Sequence, residues 1–109
     1  MVAKYEIEAI DDNTMGSENV SARADFYRGI ELKKAGKSTE AITAFETITE
    51  EDINIYFLAQ YEMALLEIKI KNTKKAKQIL QNLTQRPENH FIKSKSKQLL
   101  DNLQNSRFW

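Results

Sequence analysis

The chain has no cysteine, one proline, three glycines and one histidine in 109 residues. Without cysteine there can be no disulfide scaffold, thiolate metal site or cysteine nucleophile, and the redox compartment stays open. So few turn formers argue against a sandwich or barrel of short strands. His90 is the only histidine, so no multi-histidine metal site can form, and beside Pro87 it reads as a capping or surface residue with no Ser/His/Asp set apparent around it. Glu50, Glu51 and Asp52 adjoin in sequence instead of facing each other across a cleft, and there is neither an Asp-rich calcium loop nor a glycine-rich phosphate loop. No catalytic residue, metal or cofactor is expected, and the chain reads as non-enzymatic. No apolar run approaches the ~20 residues of a membrane span. Residues 1–12 carry acids where a signal peptide would carry basic residues and an apolar core. The expectation is a soluble, untargeted chain, cytoplasmic by default or a soluble domain of an anchored periplasmic or organellar protein.

What is present is helical. Hydrophobic residues make up 41% and charged residues 29% of the chain, the profile of an all-α domain. Two stretches align: residues 28–41, from Arg28 to Ala41, and residues 63–76, from Met63 to Ala76. In each, a small residue (Gly29, Ala64) precedes a turn (Gly36-Lys37, Lys71-Asn72), an alanine follows it (Ala41, Ala76), and a large apolar residue comes four positions later (Phe45, Leu80). A repeated helical hairpin of this kind stacks into a shared core and offers an extended surface to a partner.

Residues 1–20 read as an acidic, mostly non-helical arm with Tyr5, Ile7 and Ile10 as its apolar positions. Residues 21–109 read as the helical domain. Helix one starts at Ser21 and stops at Gly36. Ser38 or Thr39 can cap helix two, whose Ala41, Ile42, Phe45 and Ile48 share a face. Helix three runs from about Ile53 to Lys71, with Ile55, Leu58, Ala59, Met63, Leu66 and Ile70 on one stripe and Tyr56, Phe57, Tyr61, Leu65 and Ile68 on another, which makes it the central helix. Thr73 caps helix four, and Arg86-Pro87 ends it. A capping helix follows at about 88–105, with Phe91, Ile92, Leu99, Leu100 and Leu103 inward and Lys93, Lys95 and Lys97 wet.

Charge is zero overall but unevenly placed: residues 1–25 sum to −4, residues 26–65 to −3 and residues 66–109 to +7. The basic end can attract an acidic protein, a lipid head group or nucleic acid. It lacks the interleaved aromatics and glycines of a nucleic-acid platform, so nucleic acid is not expected.

At Gly29, Leu32, Gly36, Ala41 and Phe45 in the first copy, and at Ala64, Ala76, Leu80 and Pro87 in the second, residues 22–105 resemble the tetratricopeptide repeat family. The copies are degenerate: Asp25 and Arg28 stand where large apolar residues are usual, Glu67 where an aromatic is usual, and Lys71 where the turn glycine is usual. The resemblance implies a short right-handed helical-hairpin solenoid, two hairpins plus a C-terminal capping helix. The phrases at residues 57–66 and 74–80 are also similar to bacterial ancillary translocon subunits, which carry a small repeat domain outside the inner membrane behind an amino-terminal membrane helix absent here. That leaves either a soluble fragment of such a protein or a generic likeness.

The family binds peptides or protein surfaces in the groove of the first helices of each pair. Carried over, the groove would present Arg23, Phe26, Tyr27, Ile30 and Lys33, with Leu58, Tyr61, Glu62, Leu65 and Lys69 opposite. Phe26 and Ile30 stand where chaperone-clamping members have Lys and Asn, so the carboxylate clamp is missing. The expected partner-binding residues are Phe26, Tyr27, Ile30, Tyr61, Leu65 and the terminal Phe108 and Trp109. The expected partner is another protein or peptide segment, with self-association through the arm as an alternative. A structural subunit of a larger complex and a weak binder of anionic surfaces are the competing readings.

Overall fold

The computed structural model describes residues 20–105. Among them are five α-helices and no strand: α1 (Val20–Lys34), α2 (Ser38–Glu46), α3 (Ile53–Lys69), α4 (Thr73–Gln85) and α5 (Phe91–Asn105). The arm, with Tyr5, Ile7 and Ile10, and the terminal Arg107, Phe108 and Trp109 lie outside the described residues.

Each helix packs on the next, and α3 packs on all four others. This central place follows from its sequence, which is apolar nearly all round: Ile55, Phe57, Leu58, Ala59, Met63, Ala64 and Leu66 are buried, and Tyr56, Leu65 and Ile68 half-buried. Small residues set the close crossings. A Cβ on Gly29 would lie 2.5 Å from the Phe45 ring, so α1 and α2 approach as they do because position 29 has no side chain. Ala41, Ala64 and Ala76 are likewise fully buried.

Two turns share one hydrogen-bond pattern. After α1, Lys37 N–H donates to Leu32 O at 2.9 Å and Gly36 N–H to Lys33 O at 3.0 Å, with Gly36 at φ 79. After α3, Asn72 N–H donates to Glu67 O at 2.7 Å and Lys71 N–H to Ile68 O at 3.0 Å, with Lys71 at φ 71. Both are Schellman closures, which place one residue in the left-handed region. A glycine occupies that place without strain, whereas lysine meets a Cβ clash. Lys71→Gly should therefore stabilise the fold by about 1 kcal/mol, read as a rise in the urea midpoint with unchanged slope.

The caps differ from the expected ones. Lys37 and Asn72, not Ser38, Thr39 or Thr73, hold the N-cap positions of α2 and α4, and neither side chain caps. The Schellman turns fix this register, and the Asn72 amide is used on Glu67 Oε1 at 3.2 Å. Asp52 does cap α3, accepting from Ile55 N–H at 3.4 Å. Helix α5 begins at Phe91 instead of Glu88, because Glu88 is held by Arg86 and His90 caps the helix. Ile70, expected on the inner stripe of α3, follows the last helical turn and is 42% exposed; Phe91, expected inward, is also exposed.

Candidate functional site

The expected face of α1 and α3 divides into core and surface. Phe26 and Ile30 are 0% and 1% exposed and belong to the core, as does Leu58. They cannot present themselves to a partner, which corrects their assignment. The reason is local: they flank Gly29, against which the Phe45 ring of α2 is packed, and Phe26 packs on Phe45 with ring centroids 5.5 Å apart. Tyr61 is only 9% exposed, so it forms a floor instead of a protruding anchor. Tyr27 and Leu65 are half-buried and remain reachable. Phe108 and Trp109 lie outside the described residues.

Lys33 and Glu62, expected as groove charges, are joined to each other. Lys33 Nζ bonds Glu62 Oε1 at 2.5 Å, and the carboxylate has no exposure. The pair ties α1 to α3 at the edge of the surface strip. Glu67, noted only as a departure from the repeat pattern, is buried and held by Asn72 and by Lys75 at 3.6 Å.

The accessible face runs across α1, α3 and α5. Tyr27, Leu65, Ile68 and Leu99 are half-buried apolar side chains packed on the core. Arg23 lies over the Tyr27 ring at 5.9 Å and Lys95 over the Tyr61 ring at 5.5 Å, so cations stand on the aromatic faces. Between α3 and α5 a cleft of about 200 Å³ is lined by Tyr61, Lys95, Gln98, Leu99 and Asn102. The α5 side of this cleft escaped the sequence reading. Its signal was present: positions 95, 98, 99 and 102 recur at i, i+3, i+4 and i+7, one face of a helix.

At one end of the helices Arg86 joins the α2–α3 and α4–α5 connections. It bonds Glu50 Oε1 at 2.6 Å and both carboxylate oxygens of Glu88 at 3.1 and 3.2 Å, and sits over the Tyr56 ring at 5.1 Å. These contacts raise the Arg86 pKa and hold the Glu88 carboxyl below its ordinary value, chiefly through the hydrogen bond between them. His90 is stacked face to face on Phe57, with centroids 4.6 Å apart, and packs on Phe91 at 4.7 Å. Its Nδ1 accepts from Ile92 N–H at 3.1 Å, so Nε2 carries the proton and donates to Asn54 Oδ1 at 2.8 Å. This is the neutral ring, acting as the cap of α5.

Burial pushes the His90 pKa below 6.5. The unfolded chain therefore binds a proton before the folded one does. The stability His90 contributes is complete above about pH 6.5 and is lost as pH falls from there toward the depressed folded value. Thermal melts between about pH 7 and 5 should show the loss in wild type, and His90→Asn, which can still cap, should flatten it.

A second cleft of about 170 Å³, lined by Ser21, Asp25, Thr47, Thr49, Glu51 and Asp52 among others, opens between the start of α1 and the α2–α3 connection. Among the described residues no group of three or more His, Cys, Asp or Glu could hold a metal ion. No described helix is long and apolar enough to cross a membrane. Compared with known families, curated proteins and solved structures, the chain matches no family model, no curated protein and no solved structure.

Proposed function

We propose that the chain is a tetratricopeptide-like repeat protein, two degenerate hairpins and a capping helix, that acts without catalysis by binding a partner segment across α1, α3 and α5. Support for the repeat comes from the matched turns at Gly36 and Lys71, which stand thirty-five positions apart, as do Gly29 and Ala64, Ala41 and Ala76, and Phe45 and Leu80. The spacing is close to the ~34 residues of that family. The observation that carries the binding reading is the α3–α5 cleft with Leu99 and Lys95 in its wall and Tyr61 in its floor, together with the partly exposed Tyr27, Leu65 and Ile68 on α1 and α3 and Arg23 over the Tyr27 ring. Rigid rings with wet edges and aliphatic side chains in a shallow cleft suit the alternate anchors of an extended or helical peptide.

The test is affinity capture from the native source with a stoichiometric partner identified by mass spectrometry, followed by affinity measurement on variants. Tyr27→Ala and Leu99→Lys should each weaken the complex about tenfold or more with unchanged circular dichroism. Tyr61→Ala is unsuited to this purpose, since its buried ring belongs to the floor. A partner that binds both surface variants as tightly as wild type would place binding elsewhere and end this reading.

A further inference from the structure

The α3–α4 turn is built against its own local stability. Five of the nine residues 69–77 are lysines, and Lys69, Lys71, Lys74 and Lys75 are exposed. Lys71 occupies the left-handed position that its counterpart Gly36 fills without strain. Lys74 and Lys75 stand in the first turn of α4, at the positive end of its dipole, with Lys77 in the next turn and no acid in the first turn to offset them. Only Lys75 has a carboxylate partner there, Glu67; Lys69, Lys71 and Lys74 make no ion pair among the described residues. Between Lys69 and Lys71, Ile70 is the most exposed large apolar side chain among the described residues. The left-handed lysine and the basic first turn of α4 each cost stability, and both lie within a few residues of Ile70. A left-handed lysine kept at an exposed turn invites the question of what the turn is for.

We infer that this turn is a docking knuckle for an anionic bilayer surface, with the lysines meeting lipid head groups and Ile70 entering the interface. Shape and chemistry select that occupant. The tip of a helical hairpin is convex, so it fits a flat anionic sheet, whereas a peptide needs a groove. No aromatic ring lies between residues 69 and 77 on which a base could stack, which disfavours nucleic acid. A cluster of lysines around an aliphatic side chain combines head-group attraction with shallow apolar burial, the two contributions that hold proteins on acidic membranes. The inference is independent of the α1, α3 and α5 face and survives if that face binds nothing.

The experiment is sedimentation of the full chain with vesicles of phosphatidylcholine alone or with about one-third phosphatidylserine, at salt of about 0.05 M and about 0.5 M. Wild type should bind only the acidic vesicles and release at the higher salt. Lys71→Gly/Lys74→Gln should bind roughly 25-fold more weakly, about fivefold per lysine, and Lys71→Gly alone should bind less while melting higher, so that loss of binding cannot come from unfolding. Ile70→Ser should weaken binding, and Lys97→Gln on α5 should change it less than about twofold if charge acts only near the knuckle. Failure of wild type to bind acidic vesicles would overturn the inference. So would an equal effect of Lys97→Gln and Lys74→Gln, or knuckle-dependent binding of polyglutamate or single-stranded nucleic acid in place of vesicles.

Discussion

Phe45→Ala should cost about 3–5 kcal/mol, a large share of the roughly 5–15 kcal/mol that holds a typical domain folded. Phe45 is fully buried, packs on Phe26 and lies against Gly29, so its removal opens a cavity at the crossing of α1 and α2. The converse change attacks the same contact from the other side. Gly29→Ala would place a methyl 2.5–2.7 Å from three ring atoms of Phe45, which is fully buried and already packed on Phe26 and so has little room to move. That overpacking should cost about 1–3 kcal/mol. The double variant Gly29→Ala/Phe45→Leu should recover part of the loss, since leucine vacates the volume the methyl needs. Urea titrations of wild type, Gly29→Ala, Phe45→Leu and the double variant decide the matter; simple additivity in the double variant would mean that the two positions do not meet.

Lys33→Met should be nearly as damaging as a core truncation although lysine is a surface residue type. Glu62 has no exposure, its Oε2 has no partner among the described residues, and its Oε1 depends on Lys33. Removing the cation leaves a buried carboxylate uncompensated, for which losses of about 3–5 kcal/mol are typical. The value should fall at the lower end, because the Lys33 side chain keeps 29% exposure and water can follow it into the gap. Adding Glu62→Leu to Lys33→Met should restore stability to wild type or above, as apolar replacement of both members of a buried pair often does. A double variant no more stable than Lys33→Met would show that the pair is not the coupled unit described here.

The limits of sequence reasoning follow from the same two sites. Helix positions were legible because apolar spacing at i, i+3 and i+4 is strong in α2, α3 and α4, and their bounds fall within a few residues of expectation. Cap residues were less so: Ser38, Thr39 and Thr73 have the right chemistry, but the turns before them set the register, and that depends on a left-handed residue two positions upstream. The candidate face was half legible. A stripe such as Phe26, Tyr27 and Ile30 has one period whether it lies in a core or on a groove, and only the approach of α2 at Gly29 decides which member is wet. Glu62 reads as a solvated position because its partner lies 29 residues away. His90 stands out in the sequence only as the lone histidine, and its stacking on Phe57 and bond to Asn54, both on α3, are tertiary and leave no mark on local pattern.

The position of α3, in contact with every other described helix while the others pack mainly on their neighbours, bears on how the chain is assembled. Most contacts join segments close in sequence, so folding should be fast, with little loop closure required before native contacts form. Helices α1 and α5 stand at the two ends of the described order and can detach without parting α3 from α2 and α4. Amide protons of α3 should accordingly exchange only through global opening, while those of α1 and α5 exchange through cheaper, partial openings. The strip that crosses these three helices thus rests on one slow-exchanging element between two that breathe, and a ligand that bridges it would slow exchange most at its ends.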